Sequence, residues 1–423
     1  MSDGLAGGIG YENDGPPFSR EEYARRLAHV RELMAEDGLD LLYLTSPESI
    51  CYMTGYRSVW YQAQSPKEWT SISGVAIHVD HEHLIQFDAP EDESVLQKTS
   101  IADHYLLFRG GDRTTAMVSD VQIEFLLAEL GAAGWRGGTV GVERWSYRPV
   151  RPVAEALEAG FRGAGYRVAD GTDVIRAARV SKSAPEIACV VEAARIVDAG
   201  FRAAAAALSP GITELELYGE AIRAMCAEGG ELPAIVESVQ TGMAAYQAGH
   251  GAASRRRIQP GEPVFLFLAG SYNRYHANVV RTLWLGEPPT EVVEAYAKTG
   301  GVFEVVRRAG ASGTPWADFN RTIREYYRSI DAWDSPLGQI DGRDLNRGFV
   351  GGYELGLSMP PDWVGPAVYS VAEESPEGVI PDGFVANFVS SFPGATQTDT
   401  VVWEADRVRT LSELEPRLIV VDC

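Results

Sequence analysis

His250 is the side chain best suited to exchange a proton near neutral pH. It closes a glycine-rich run, Gly242-Met-Ala-Ala-Tyr-Gln-Ala-Gly249, whose backbone can loop an imidazole towards a pocket. The alternative is a histidine hydrogen-bonded to backbone at a strand start. The second half of the chain holds one other histidine, His276, within Ser271-Tyr-Asn-Arg-Tyr-His-Ala-Asn-Val279. If this polar stretch is a strand, alternate residues share a face, so Arg274, His276 and Asn278 point together and Tyr275 points away. His276 is then a second candidate for proton transfer. Asn278 and Arg274 are candidates for holding a substrate carbonyl or carboxylate, unless the polar groups form a ladder satisfied within the sheet. Tyr353 and Glu354 sit in Val350-Gly-Gly-Tyr-Glu-Leu-Gly356, where glycines permit close approach to a ligand. Tyr353 is read as a phenol donor and Glu354 as a substrate contact, with Asp362-Trp363 shaping a pocket wall. Nearer the N-terminus, Arg57, Trp60, Tyr61 and Trp69 combine a guanidinium with aromatic faces, which suits an anionic or planar ligand or an apolar contact between subunits. His78, His81 and His83 read as solvated turn residues.

The frame that must position these groups is an ordinary soluble one. Of 423 residues, 45% are apolar and 23% charged, enough for two or three domains with large cores. The 59 acidic against 37 basic residues, net -22, argue against nucleic acid and against an anionic membrane as partners. No run of about 18 apolar residues predicts a membrane span. Residues 1–18 lack the basic start and apolar core of a signal peptide. Cys51, Cys189, Cys226 and Cys423 are far apart, without metal-ligand spacing, so free thiols in a cytoplasmic protein are expected.

Three segments are predicted: a flexible arm over 1–18, an α/β domain over 19–175 and an α+β domain over 176–423. Ser19-Arg-Glu-Glu22 is a capping box opening a helix that Gly38 ends, and Leu39–Leu44 is a buried strand. Strands at Gly74–His78 and His83–Phe87, a helix over Val118–Leu130, a strand over Thr139–Val142 and a helix over Pro152–Ala159 complete the alternation. Ser183-Ala-Pro-Glu186 is a second capping box, opening an alanine-rich helix to Leu208. Val264–Ala269 and Arg281–Leu285 are β-type runs around the polar stretch. Helices near Thr290–Arg308 and Trp316–Ile330 precede strands at Gly383–Ser390, Thr400–Trp403 and Leu418–Val421.

This ordered set resembles the creatinase/aminopeptidase P/prolidase superfamily, the pita-bread fold, from about Ser19 to Val421. The likeness rests on Ser46-Pro-Glu-Ser-Ile-Cys-Tyr-Met-Thr-Gly-Tyr56, Val180-Ser-Lys-Ser-Ala-Pro-Glu-Ile187, Gly249-His250, Pro260-Gly-Glu-Pro-Val264 and Tyr275-His-Ala-Asn-Val-Val-Arg-Thr282. It implies an α/β creatinase-like first domain followed by an α+β pita-bread catalytic domain, a homodimer, and a first-domain loop reaching the neighbouring subunit's site. In the family's metallopeptidases, two Asp, one His and two Glu hold two metal ions. Aligning Arg281-Thr282 with the family's R-T places Phe267 and Asn278 at the Asp positions, Tyr353 at the His, and Val389 and Thr398 near the two Glu. Such side chains cannot build a hard dinuclear site, so neither metal nor other cofactor is expected. Arg274-Tyr-His276 and Met359-Pro-Pro-Asp-Trp363 are similar to the non-peptidase ectoine hydrolase branch, alongside creatinase, which hydrolyses a guanidino C–N bond.

The resemblance places His250 at the family's catalytic histidine. It puts Phe267, Asn278, Asn387 and Thr398 on the substrate face. Arg281 is expected beneath the site as an anchor, and Asp399 facing away. The expected activity is metal-independent hydrolysis of a C–N bond in a small molecule. A lyase or other biosynthetic enzyme on the same fold and an inactive ligand-binding relative are the alternatives, and a metallopeptidase is disfavoured.

Overall fold

The computed structural model describes residues 15–63, 71–109, 118–247, 250–333, 339–340, 343–344, 349–392 and 394–423. Most of the N-terminal arm, Trp69 and the end of the glycine-rich loop at 248–249 lie outside them. The chain divides into two compact units, Met1–Ala178 and Arg179–Cys423.

The first unit is an α/β layer. Its helices are α1 (Arg20–Glu36), α2 (Pro47–Thr54), α3 (Glu93–Thr99), α4 (Ser119–Ala132), α5 (Arg151–Gly163) and α6 (Thr172–Val180), whose last residues pass into the second unit. Its strands are β1 (Leu41–Leu44), β2 (Gly74–His78), β3 (Leu84–Asp88), β4 (Tyr105–Leu107), β5 (Thr139–Val142) and β6 (Arg167–Asp170), in the sheet order β4-β3-β2-β1-β5-β6. Only β2 runs against the other five. The predicted N-cap is present, with Ser19 accepting from the Glu22 N–H, and Gly38 ends the helix at φ 70. On α1, buried Arg26 lies 4.5 Å over Phe18 and 4.4 Å over Tyr52, and donates to the Tyr52 carbonyl at 2.8 Å. Sequence reading missed α2, α3, β4, β6 and α6, which are all short. His78, His81 and His83 are more than solvated turn residues: each lies tilted against Trp135 at 5.2–5.4 Å, and His104 meets His83 at 4.8 Å.

The second unit is built on one large sheet. α7 (Ala184–Ala207) and α8 (Glu214–Ala227) precede β7 (Ser238–Thr241), β8 (Pro263–Tyr272) and β9 (Tyr275–Leu285). α9 (Thr290–Gly300), α10 (Val302–Val306) and α11 (Trp316–Ser329) follow. Then come β10 (Gln339–Ile340), β11 (Arg343–Asp344), β12 (Val350–Tyr353), β13 (Val368–Ser370), β14 (Phe384–Phe392), β15 (Ala395–Trp403), β16 (Val408–Thr410) and β17 (Ile419–Val421). The main order is β13-β12-β14-β15-β9-β8-β7, with β16 on β15 and β17 beside β9. The capping box expected at Ser183 is formed, and a second one is found at Thr213.

Strand alternation gives this sheet two chemically different faces. Leu266, Leu268, Val279 and Leu283 pack on Ile196, Val197 and Phe201 of α7. Phe388 packs on Phe303 and Phe319 of α10 and α11. The opposite face carries Phe267, His276, Asn278, Val280, Asn387, Val389 and Thr398, by the registers Phe267↔Val280, Ala269↔Asn278, Thr398↔Val280 and Val389↔Thr398. The β8–β9 turn is the two-residue pair Asn273 and Arg274, both left-handed at φ 50 and 66, the conformation a tight hairpin needs. Arg274 is thus a turn residue, which corrects its expected place on the strand face.

Glycine decides how closely α7 approaches. A Cβ at Gly270 would sit 1.9 Å from the Ala193 carbonyl oxygen of α7, leaving no room for a side chain. Gly270→Ala should force helix and hairpin apart and lower stability by about 1–3 kcal/mol, the usual cost of overpacking. Urea unfolding of the two proteins measures the difference.

Candidate functional site

The polar face of β8, β9, β14 and β12 brings together most of the residues singled out from sequence. His250 is exposed at the sheet edge, two residues before Ala252, which bridges to Ser238 on β7. Ser238 in turn lies opposite Phe267. The His250 ring stands 6.2 Å from the Phe267 ring, Phe267 lies edge-on 5.6 Å from Trp363, and Trp363 lies 6.2 Å from His276. A continuous aromatic wall therefore links the exposed imidazole to the buried one. Trp363, read from sequence only as a pocket wall, is its central member and is fully buried.

His276 is neutral. Its Nε2 accepts a hydrogen bond from the Ala234 N–H at 3.1 Å, which assigns the proton to Nδ1. Burial, with the nearby Arg274 charge, pushes its pKa down to about 3. It therefore does not cycle a proton near neutral pH, which removes it from acid–base work.

Asn278 and Asn387 form the polar ladder. The Asn278 amide donates to the Leu268 carbonyl at 3.0 Å, and the Asn387 amide donates to Asn278 Oδ1 at 3.3 Å. Asn387 Oδ1 accepts from the Tyr353 N–H at 2.9 Å. The chain of amides runs from β8 through β9 and β14 to β12, and both asparagines are fully buried. The Thr400 hydroxyl meanwhile bridges the Asn278 backbone, accepting from its N–H at 2.8 Å and donating to its carbonyl at 2.9 Å. Burial pushes the Tyr353 hydroxyl up to about 12, with Trp363 and Asn387 offsetting part of the rise, so the phenol stays a proton-bearing donor.

Other expected contacts are committed elsewhere. Glu354 follows Tyr353 on the opposite side of the strand and forms a buried ion pair with Lys182. Burial holds Lys182 below its usual range, with Glu354 pulling it back up. Arg274 donates to the Leu232 carbonyl at 2.8 Å and the Ser358 carbonyl at 3.3 Å, and faces Glu231 at 3.7 Å. Arg281 lies on the helix face, paired with Asp399 at 2.9 Å. Burial pushes Asp399 up to about 6 although Arg281 pulls it down. Arg57 and Tyr61 belong to the first unit. There Arg57 donates to the Gly15 carbonyl at 3.1 Å, and Trp60 begins a 3-10 turn over Trp60–Ala63. Glu237 went unnoticed in the sequence because it lies in a loop-like stretch. It accepts from the Ala269 N–H at 2.6 Å, and burial pushes it up to about 8. Its other oxygen accepts from the Tyr218 hydroxyl of α8 at 3.2 Å, so it faces the helices rather than the site.

Two sequence profiles match the chain: the creatinase/prolidase N-terminal domain over residues 26–181 and metallopeptidase family M24 over residues 188–385. The chain belongs to the creatinase/aminopeptidase P/prolidase superfamily, the hydrolases of the pita-bread fold. The ectoine hydrolase of Halomonas elongata is 26% identical over 422 residues, spanning 96% of this chain and 98% of that relative. The Xaa-Pro dipeptidase of Pyrococcus furiosus is 25% identical over 291 residues, 69% of this chain and 72% of that one. The fold is shared with a dipeptidase from Pyrococcus horikoshii, TM-score 0.73 at 19% identity, covering 94% of this chain and all of that one. It is also shared with zinc-substituted Escherichia coli aminopeptidase P, TM-score 0.69 at 17% identity, covering 94% of this chain and 95% of that one.

The dinuclear metal centre implied by an M24 fold does not fit this donor set. Phe267, Asn278, Tyr353, Val389 and Thr398 offer neither carboxylate nor imidazole. Among the described residues no three His, Cys, Asp or Glu side chains group as metal ligands. No helix among them is long and apolar enough to cross a membrane.

Two stability measurements test the geometry. Asn278→Ala strands the Leu268 carbonyl and the Asn387 amide, so it should destabilise the fold by about 1–3 kcal/mol in urea titrations. His276 must stay neutral when folded but gains a proton below about pH 6.5 when unfolded. Its contribution is complete above that pH and is lost as pH falls towards 3, at about 1.4 kcal/mol per unit. Between pH 7.5 and pH 5 the wild type should lose about 2 kcal/mol more stability than His276→Gln.

Proposed function

We propose that the protein hydrolyses a C–N bond in a small molecule without a bound metal, using His250 as general acid and base. The observation that carries this reading is the placement of His250, an exposed imidazole packed against Phe267 at the open end of the aromatic wall. Tryptophan, phenylalanine and valine line the face, with amides that are already hydrogen-bonded to one another. Such a surface suits a small, largely uncharged substrate rather than a guanidinium, which would need carboxylates. The similarity to an ectoine hydrolase along nearly the whole chain supports a non-peptide substrate.

In the proposed reaction, His250 takes a proton from water as the oxygen attacks the carbon of the C–N bond. It returns that proton to the departing nitrogen, so the imidazole ends each cycle unchanged. Tyr353 remains protonated and is the donor available to the oxygen that gains charge. Asn278 and Asn387 act by holding the strands that carry these groups. A homodimer in the cytoplasm belongs to the same proposal. Val59, 71% exposed beside Trp60 and Tyr61 in sequence, is apolar surface that a second copy would cover.

The test begins with a screen of small amides, ureas and cyclic amidines, followed through nitrogen release. On the substrate found, His250→Ala should cut turnover by roughly 10²–10⁴-fold while leaving the thermal midpoint unchanged, because the side chain is exposed. Metal-free protein, checked by elemental analysis, should keep full activity. Unchanged turnover in His250→Ala, or activity that returns only with added metal, overturns the reading.

A further inference from the structure

The first unit contains a cleft that the catalytic reading does not use. It has about 490 Å³ of empty space, open solvent at its mouth included, and is lined by Thr45, Tyr56, Tyr61, Ser73, Asp88 and Asp92, with Arg148 also on its wall. All of these residues lie within the creatinase-like domain. Five of the six strands run in one direction, and the cleft opens where β1 and β3 end and β2 begins. Carboxyl ends of strands at a break in strand order are where α/β sheets leave a crevice for ligands.

The chemistry of the cleft is set by Asp88, the last residue of β3, only 2% exposed. Its Oδ1 accepts from the Ser73 hydroxyl at 2.8 Å and from the Ala89 N–H at 2.8 Å. Oδ2 has no hydrogen bond of normal geometry, and neither has the buried Tyr56 hydroxyl. The two groups act on each other: Asp88 adds to the burial-driven rise of the Tyr56 pKa, and Tyr56 opposes the burial that pushes Asp88 up to about 6. They therefore face each other in a contact that falls short of a normal hydrogen bond. A buried carboxylate oxygen without a well-placed donor is costly. Asp92, half-buried with its pKa raised by burial, is a second carboxylate on the same wall.

The neighbouring strand end shows what a fully satisfied carboxylate looks like. Glu143, just after β5, accepts from the Thr45 and Ser46 N–H groups at 2.7 and 2.8 Å and from the Ser46 and Ser49 hydroxyls at 3.0 and 2.6 Å. Asp88 has two donors where Glu143 has four. With two carboxylates against the one guanidinium of Arg148, the lining is net acidic. Among the described residues no third His, Cys, Asp or Glu joins them to hold a metal ion. The group that fits is compact, cationic and rich in N–H donors.

We propose that this cleft binds the primary ammonium group of a small amine, with Asp88 Oδ2 and the Asp92 carboxylate accepting from it and the Tyr56 hydroxyl completing its shell. The site is independent of the hydrolase reading, since its readout is binding by the first unit and not turnover.

Calorimetric titration of the full-length protein with n-butylamine at pH 7.5 is the test, with 1-butanol and butyrate as neutral and anionic counterparts of the same length. Saturable binding of the amine alone is expected, weakened at least about tenfold by Asp88→Asn, the worth of one charge-assisted hydrogen bond. Should Asp88→Asn fail to fold, Asp92→Asn on the less buried wall decides, and a several-fold loss of affinity supports the site. Absence of amine binding, equal binding of 1-butanol, or wild-type affinity in the folded variants overturns it. Binding of Mg²⁺ or Ca²⁺ in place of the amine does so too.

Discussion

One buried guanidinium ties the large sheet of the second unit together. Arg281 of β9 donates to Asp399 and to the Thr398 carbonyl of β15, at 2.9 and 2.7 Å. It also donates to the carbonyls of Leu414 and Glu415 at 2.8 and 3.1 Å. A charge buried this deeply persists only because every donor is used. Asp399 in turn accepts from the Ser412 N–H at 3.2 Å, and Asp198 of α7 accepts from the Ser412 hydroxyl at 2.6 Å and the Glu413 N–H at 2.7 Å. Two central strands, the C-terminal segment and the longest helix are thereby fixed to one another from the face opposite the site.

This arrangement explains how the other face can be so poor in charge and still be ordered. A metallopeptidase face of this fold is organised by cations and the carboxylates that bind them. Here the strands are held from behind by Arg281 and from within by the Asn278–Asn387 amides. Phe267, Val280 and Val389 are then free to be apolar, and Trp363 closes against His276 and Phe267. His276 is kept neutral by the same burial.

Buried acids are handled in two contrasting ways. Glu143 and Asp399 are surrounded by donors or paired with a cation, and they act as fasteners. Asp88 is equally buried but keeps an oxygen unsatisfied at a cleft, and a group left in that state serves recognition better than it serves stability. Lys182–Glu354 belongs with the fasteners, which is why Glu354 is lost to the substrate face.

The sequence alone was sufficient for whatever depends on local spacing. The N-cap at Ser19, the capping box at Ser183, helices with clear apolar periods, the buried β1 run and the order of motifs were all legible, and with them the two-domain class. The expected replacement of the five metal positions rests likewise on residue type at an aligned position, which needs no geometry. Asp399 was turned away from the site by strand parity, a strictly local rule. What only the tertiary structure decided were the partners. Arg274 left the strand face because Asn273 and Arg274 form the turn, and a one-residue difference in where a strand starts changes what a side chain can reach. Asn278 and Asn387, more than 100 residues apart, met only when β9 and β14 came into one sheet. His276 lost its titration near neutral pH because Ala234 and Trp363 enclose it. Hydrogen-bond partners and desolvation are set by residues distant in the chain, and no pattern along the sequence records them.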